Sequence, residues 1–136
     1  GATLQVLNTH LSILERERRL QVEALLQPRW LGADQDGTPR ILCGDWNTGP
    51  ESWTCRRLGT VLRNVDEFVD GPGRGEDGRV DPKRRTWSGR LPLRRIDHVF
   101  VGGRLRADRV EVPRTRLTRV ASDHLPLVVD LSLPAD

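Results

Sequence analysis

Four short polar phrases, each at the end of an apolar run or inside one, constrain the fold and function of this 136-residue chain most strongly. They are Asn8-Thr9-His10-Leu11, Gly44-Asp45-Trp46-Asn47, Arg95-Ile96-Asp97-His98 and Ser122-Asp123-His124-Leu125-Pro126. The apolar runs around them have the length and pattern of strands. Taken singly, each phrase is also compatible with a turn or with a satisfied polar group of the core. The four together favour a functional site.

The hydrophobic pattern predicts a chain that mixes strands with helices. Strands are expected at residues 2–9, 41–44, 95–101, 105–112 and 125–133. Two of the last three runs are apolar on both faces, as strands are when they pack between a second sheet and a helical layer. The sequence has no internal repeat at the period of a solenoid. A chain of this length normally forms one domain.

Two capping-box patterns predict where helices begin. Ser12 is followed three residues later by Glu15, which predicts a helix that starts at Ser12 and is stopped by Pro28. Thr48 and Glu51 repeat the pattern with a proline in the first turn. They predict a second helix that runs to about residue 62.

Asp45 and Asn47 lie two positions apart, directly after a buried strand. Strand alternation would point both side chains to one side and Trp46 to the other. A carboxylate and an amide at the end of a strand can position a water molecule and hydrogen-bond a phosphate oxygen. The alternative interpretation is an Asx turn that links strand to helix.

Two Asp-His dipeptides, Asp97-His98 and Asp123-His124, place an acid directly before an imidazole. On a strand, adjacent residues point to opposite faces, so neither dipeptide can present both side chains to one site. This argues against a histidine-rich zinc cluster, although the chain has three histidines.

The charge pattern does not indicate a dedicated nucleic-acid-binding module. The formal net charge is +3, acids and bases are interleaved, and aromatic residues make up only 4% of the chain. A stripe of arginines interleaved with aromatics, which single-stranded nucleic acid requires, is absent from the sequence. Residues 71–78 hold four glycines among charges and predict a surface loop rather than a phosphate cradle.

The cysteines and the hydropathy exclude other classes. Cys43 and Cys55 are the only cysteines, and their spacing does not indicate a disulfide, so a buried free thiol is expected at Cys43. No apolar run approaches the length of a membrane span. Cytoplasmic and secreted locations both stay open.

In their order along the chain, the four phrases resemble the endonuclease/exonuclease/phosphatase superfamily, the deoxyribonuclease-I-like metal-dependent phosphoesterases. The resemblance implies an α+β fold, a two-sheet sandwich flanked by helices in four layers. Residues 1–136 would be the C-terminal portion of a single such domain, the second half of its duplicated motif. The family's metal-binding glutamate lies further upstream, so we expect a longer protein that is a monomer at full length.

The resemblance implies hydrolysis of a phosphodiester or phosphomonoester by in-line attack of water, with Mg²⁺ or Mn²⁺ as cofactor. The residues implied as catalytic are His10, Asp45, Asn47, Asp97 and His124. The implied metal ligands are Asp45, Asn47 and Asp123, and Asn47 and Trp87 are implied to bind substrate. The partner is a phosphoester, with nucleic acid, phospholipid and inositol phosphate all open.

The resemblance also pairs residues that are distant in sequence. It places Asp97 beneath His124, so that the carboxylate orients the imidazole and raises its pKa. His98 then falls on the far face, in packing or at the surface. Two alternatives to an enzyme stay open: a catalytically incompetent fragment or pseudoenzyme that acts as a binding module, and a basic nucleic-acid-binding module.

As half of a sandwich, the chain is also expected to lack apolar neighbours on one face of its sheet. The residues expected to include members of this uncovered face are Ile96, Val99, Phe100, Val128 and Val129.

Overall fold

The computed structural model describes residues 3–32, 37–67 and 84–133. The predicted glycine-rich loop at residues 71–78 lies outside the described residues. In chain order, the elements are β1 Gln5–His10, α1 Glu15–Leu25, β2 Arg40–Asp45, α2 Trp53–Leu58, β3 Arg63–Asn64, a 3₁₀ turn Val65–Glu67, β4 Asp97–Gly102, β5 Arg106–Glu111, α3 Thr118–Ala121 and β6 Val128–Ser132.

The strands form two sheets, which confirms the predicted α+β class. The larger sheet has the order β1-β2-β4-β3, and the smaller one pairs β5 with β6. β1 is parallel to β2, whereas β4 is antiparallel to β2 and β3. The carboxyl ends of β1 and β2 therefore meet the amino end of β4 at one rim of the larger sheet.

The larger sheet is covered differently on its two faces because alternate residues of each strand point in opposite directions. Leu42 and Phe100 pack with Val22 of α1 and Leu58 of α2, so the helices lie on one face. The Trp46 ring stacks on Phe100 with 4.8 Å between centroids. This face carries the principal hydrophobic core.

The opposite face of the larger sheet packs against the smaller sheet. Val101 and the half-buried Ile41 belong to a second cluster that includes Ala107 and Val110 of β5 and Val129 of β6. The chain therefore has a helix–sheet–sheet arrangement. The exposed side chains of Leu4 and Val6 show that part of the β1 region is not covered by the described residues.

The prediction of an uncovered apolar face on the sheet was only partly correct. Ile96 and Phe100 are buried by the chain's own residues, so the expectation was wrong for these two. Val99 and Val129 are half-buried at the junction of the two sheets, and Val128 is exposed. Phe100 is covered because Trp46 and the two helices lie over it.

Neither capping box forms. α1 begins at Glu15, and the Ser12 hydroxyl donates to Glu17 Oε2 at 2.6 Å and accepts from Leu14 N at 3.1 Å. α2 begins after Ser52, whose Oγ accepts a hydrogen bond from Cys55 N at 3.2 Å. The first pattern is thus used in a turn before the helix, and the second is replaced by a serine cap four residues later.

Tertiary contacts shorten several predicted elements. β4 starts at Asp97 rather than at residue 95, because the Arg94 carbonyl accepts from the backbone N–H groups of Thr86 and Trp87. β6 starts at Val128 rather than at residue 125, because Leu125 N donates to the Thr86 carbonyl at 2.7 Å. α2 ends at Leu58, and the short elements β3 and α3 were not predicted.

Both cysteines are free, in agreement with the sequence. Cys43 is half-buried, and burial raises the pKa of the Cys55 thiol to about 11. In the part of the chain that the structure describes, no helix combines the length and apolar character that a bilayer crossing needs.

Candidate active site

Three ionisable residues lie at register-paired positions of three neighbouring strands in the larger sheet. His10 of β1 is the register partner of Asp45 of β2, and Asp45 is the partner of Asp97 of β4. Register partners on neighbouring strands point to the same face. The three side chains therefore emerge side by side at the rim, above the junction of the two sheets.

His124 reaches these three residues from the segment between α3 and β6. Its Nδ1 lies 2.9 Å from Asp97 Oδ2, and its Nε2 lies 3.6 Å from Asp45 Oδ2. The hydrogen bond with Asp97 holds the proton on Nδ1 of the neutral ring and leaves Nε2 directed at Asp45. The structure thus contains the Asp97–His124 contact that the resemblance implied.

The electrostatic setting of His124 follows from these neighbours. Partial burial lowers the pKa of its imidazole, but the hydrogen bond with Asp97 and the charges of Asp97, Asp45 and Asp123 outweigh that effect. The net result is a pKa above the ordinary value of 6.5. The raised pKa favours the protonated ring, which is a donor at both nitrogens.

The segment 86–89 holds His124 in place. The Trp87 backbone forms β-bridges with both Arg94 and His124, and Gly89 N donates to the Asp123 carbonyl at 2.6 Å. A Cβ at Gly89 would lie 2.7 Å from the Ser122 carbonyl oxygen, so only glycine permits this approach. Sequence reasoning missed the role of Gly89, although its position two residues after Trp87 was visible.

Thr86 also positions the site, although the residues implied as catalytic, metal-binding or substrate-binding do not include it. Its side chain is fully buried, and Oγ1 accepts from the backbone N–H groups of Ile96 and Asp97, each at 3.4 Å. It thereby holds the start of β4, where Asp97 stands. A buried threonine before the Ile-Asp phrase was the available signal.

Asn47 joins the site through a turn. The prediction that strand alternation would bring its side chain there was wrong. β2 ends at Asp45, whose Oδ1 accepts from Asn47 N at 2.8 Å, and Asn47 has a positive φ of 50°. Its Nδ2 donates to the Leu11 carbonyl at 2.8 Å and lies 3.0 Å from His10 Nε2. The Asx turn is thus present, and it is the turn that brings Asn47 to His10.

Gly44 permits the close pairing of β1 and β2 directly before Asp45. Its φ is 143°, and a Cβ at this position would lie 1.8 Å from the Thr9 carbonyl oxygen. Any side chain there would push β1 away and separate His10 from Asp45. Their side chains now approach to 3.4 Å between His10 Nε2 and Asp45 Oδ2, with His10 73% exposed.

His98 is not part of the site. It is fully buried on the helix-covered face, where Nε2 lies 2.8 Å from the Thr48 carbonyl and the ring centroid lies 5.1 Å from that of Trp46. Burial and the charge of Arg95 lower its pKa to about 3. It is a neutral packing residue, on the far face from Asp97 as the resemblance implied.

Of the proposed metal ligands, the structure brings Asp45 into a cluster but leaves Asp123 outside it. Ligand atoms of Asp45, Asp97 and His124 all lie within 4.8 Å of one another. Asp123 is exposed, and its Oδ1 is 3.4 Å from Ser122 Oγ. The carboxylate oxygens fit a hard divalent cation. The Asn47 Oδ1 accepts no hydrogen bond from the described residues and could add a further oxygen donor.

The site lies beside open space. A cavity of about 370 Å³ adjoins Asp45 and Asp97 and is lined by Asn8, Gly44, Leu125 and Pro126, among others. Trp87 is half-buried next to His124. Arg95 does not contribute a cation here, because its guanidinium pairs with Asp66 at 2.8 Å. The arrangement presents two carboxylates beside this cavity, with the His124 imidazole held by Asp97 and the exposed His10 imidazole 3.4 Å from Asp45.

Comparison with known proteins gives a consistent result. The Endonuclease/Exonuclease/phosphatase family profile matches residues 6–124. A UPF0294 protein of Vibrio vulnificus (strain YJ016) is 37% identical over 103 residues, which cover 72% of this chain and 29% of that protein. The chain therefore spans less than a third of the length of this relative.

Two solved structures resemble the fold. An endonuclease/exonuclease/phosphatase from Bacteroides vulgatus superposes with a TM-score of 0.77 at 22% identity, over 98% of this chain and 51% of that one. The human Nocturnin catalytic domain, with bound sulfate, gives a TM-score of 0.68 at 25% identity, over 93% and 46%. The chain thus corresponds to about half of each deoxyribonuclease-I-like domain. On the extent of the profile match, the chain belongs to the endonuclease/exonuclease/phosphatase family.

Proposed function

We propose that the protein hydrolyses phosphoester bonds by in-line attack of water, assisted by a divalent cation. The observation that carries this proposal is the convergence of His124, held by Asp97 at 2.9 Å, on Asp45 Oδ2 at 3.6 Å. A carboxylate next to an oriented imidazole can handle both the nucleophilic water and the charge that develops on phosphate. Membership of the family supports phosphoester chemistry.

Asp45 orients and activates the attacking water in this proposal. Its Oδ1 accepts the hydrogen bond from Asn47 N, so Oδ2 is the oxygen assigned to the water. Oδ2 lies 3.4 Å from His10 Nε2 and 3.6 Å from His124 Nε2. A water between Asp45 and His124 can donate to Oδ2 and accept from Nε2 of the protonated imidazole.

His124 and His10 stabilise the pentacovalent phosphorus by donating to its oxygens. The Asp97 carboxylate favours the protonated form of His124 and fixes the plane of its ring. Asn47 orients His10, because its Nδ2 donates to His10 Nε2 at 3.0 Å and to the Leu11 carbonyl, which leaves Nδ1 as the nitrogen of His10 that can donate to phosphate. The sulfate bound to the Nocturnin domain is a tetrahedral oxyanion like phosphate, which agrees with an anion site in this fold.

The cation would be held by Asp45, by Asn47 through Oδ1 and by Asp123, with Mg²⁺ or Mn²⁺ as the suitable ions for oxygen donors. When bound, it neutralises charge on the phosphate. Asp123 is the least supported ligand because it lies outside the cluster formed by Asp45, Asp97 and His124. An Asp123→Ala variant that loses Mg²⁺ affinity in calorimetry would support its role.

Chelation tests the proposal directly. We expect the full-length protein to hydrolyse p-nitrophenyl phosphate or bis(p-nitrophenyl) phosphate with Mg²⁺, to lose activity in excess chelator and to recover it with Mg²⁺ or Mn²⁺. The preferred ester distinguishes monoesterase from diesterase. Full activity in chelator would refute the cation requirement. Binding of phosphoesters without turnover would instead identify a binding module.

A further inference from the structure

Two segments beside His124 expose aliphatic side chains that the proposed chemistry does not use. The segment 88–94 carries Leu91 and Leu93, exposed to 66% and 59%, and the segment 115–123 carries Leu117 and Val120, exposed to 73% and 68%. We name these four side chains the rim patch. Single exposed aliphatics are common on protein surfaces, whereas a group of them beside a site marks an interaction surface.

The two segments form one surface. Gly89 N donates to the Asp123 carbonyl at 2.6 Å, and the Gly89 Cα approaches so closely that a Cβ would contact the Ser122 carbonyl. Between them lies a recess of about 310 Å³ lined by residues that include Arg90, Arg119 and Asp123. Asp123, a proposed cation ligand, lines this recess and directly precedes His124 in the chain.

The same segments carry an excess of positive charge. Residues 88–94 and 115–123 contain four arginines against one acid, and the four are Arg90, Arg94, Arg116 and Arg119. All four are exposed, and the structure shows no side-chain hydrogen bond or ion pair for them among the described residues. Arg57 and Arg95, by contrast, pair with Glu23 and Asp66. The four arginines of the two segments, which have no such acidic partner among the described residues, are therefore available to bind anionic groups of a binding partner.

We propose that the rim patch docks on the surface of an anionic lipid bilayer, and that the phosphoester which the protein handles is a lipid headgroup. This inference rests on the proposed function. Aliphatic side chains that alternate with arginines suit the boundary between acyl chains and headgroups, where the chains bury the aliphatics and the phosphates pair with guanidinium groups. The recess would then admit a headgroup phosphate beside Arg90, Arg119 and Asp123.

The composition of the patch favours lipid over nucleic acid. Single-stranded nucleic acid is bound by aromatic side chains on which bases stack, and the two segments contain no aromatic residue. Trp87 precedes the first segment, is half-buried and is engaged with His124 through its backbone. Leucine and valine offer no stacking surface, but they gain free energy on transfer into the acyl boundary.

The test measures vesicle binding of the full-length protein and compares two matched pairs of leucines. Leu91→Gln/Leu117→Gln removes aliphatics from the rim patch, whereas Leu14→Gln/Leu20→Gln removes leucines that are 57% and 68% exposed at α1. We expect the first pair to lower the partition onto phosphatidylcholine vesicles with about one-third phosphatidylglycerol by at least about tenfold. The second pair should change it by less than about twofold.

The arginines are tested by the charge of the lipid. Arg90→Ala/Arg119→Ala should weaken binding to anionic vesicles by about fivefold per arginine, and should have little effect on pure phosphatidylcholine vesicles. Raising the salt concentration should reproduce this loss in the wild-type protein. An equal loss on both kinds of vesicle would contradict the proposed pairing of these arginines with anionic headgroups.

Three outcomes would overturn the docking proposal. The wild-type protein binds no vesicles, the two leucine double variants bind vesicles equally well, or Leu91→Gln/Leu117→Gln loses nucleic-acid binding and keeps vesicle binding. Binding is also measured with His124→Ala, so it does not depend on turnover. Vesicle binding without hydrolysis of any phosphoester would leave the docking surface standing and refute the proposed function. Hydrolysis of soluble esters without vesicle binding would support the proposed function and refute the docking surface.

Discussion

His98 and His124 each follow an aspartate in the sequence, yet the two faces of the larger sheet give them opposite properties. His98 lies beneath the helices, fully buried beside Trp46, and its pKa is lowered to about 3. His124 lies at the open rim, and its pKa is raised by its contact with Asp97. The difference shows that the position of each histidine in the fold, rather than its aspartate neighbour in the chain, selects its partner.

Asp97 belongs to both halves of this comparison. It precedes His98 in β4 and points to the opposite face, where it is the register partner of Asp45 and lies 2.9 Å from His124 Nδ1. One strand thus supplies a core residue and a site residue at consecutive positions. If the comparison is correct, substitutions on the rim side affect turnover, and substitutions on the helix side affect stability.

The largest effect is expected from the rim residues that would contact reacting atoms. Asp45→Asn and His124→Ala should each lower kcat by at least about 100-fold, because they remove the water-orienting carboxylate and a donor to phosphate. Steady-state kinetics of the purified full-length protein measure this. Circular dichroism should show an unchanged fold, and retention of activity in both variants would exclude the rim as the catalytic site.

A smaller effect is expected from Asp97→Asn, because Asp97 acts through His124. The amide can still hold the ring but no longer favours its charged form, so we expect kcat to fall by about 10-fold to 100-fold. In a double-mutant cycle with His124→Ala, the combined loss should be well below the product of the single losses. Independent, multiplicative losses would show that the two residues do not work as a pair.

The third prediction concerns the helix side. His98→Ala should leave kcat within about twofold of wild type but lower the free energy of unfolding by about 2–4 kcal/mol, because it opens a cavity beside Trp46. Denaturant titration measures the loss. His10→Ala is the control: its side chain is 73% exposed, so it should reduce activity and leave the unfolding midpoint unchanged. Lower activity in His98→Ala together with lower stability in His10→Ala would contradict the comparison of the two faces of the sheet.

The smallest and sharpest test is the titration of the two imidazoles by NMR. His124 should titrate above pH 6.5, and Asp97→Asn should lower its pKa. His98 should stay neutral until about pH 3. Titration of both rings near 6.5 would mean that neither environment has been described correctly.

The raised pKa of His124 and the lowered pKa of His98 make the stability of the protein depend on pH in opposite ways. Because the pKa of His124 is raised in the folded state, its contribution is present below pH 6.5 and is lost as pH rises through the raised value. Because that of His98 is lowered, the unfolded state alone takes up its proton between pH 6.5 and about 3, and stability falls as pH falls. His98→Ala should therefore flatten the acid side of the unfolding profile.

Local patterns predicted some elements well and misplaced others. The five predicted strand regions correspond to β1, β2, β4, β5 and β6, because period-two alternation and apolar content are properties of short stretches. The first capping box failed because the Ser12 hydroxyl bonds Glu17, and the second is replaced by the cap that Ser52 supplies to α2. Competition from residues outside the pattern is invisible in a four-residue window.

The sequence by itself determined the family, the set of polar residues available for chemistry and the opposite orientation of Asp97 and His98, since alternation along a strand needs no distant contact. Only the tertiary structure decided that an Asx turn brings Asn47 to His10, and that Thr86 and Gly89 hold the rim. It also decided that two segments far apart in sequence join into the rim patch. Such meetings depend on strand register and on the packing of segments whose closure is settled by the whole core, and no local pattern encodes them.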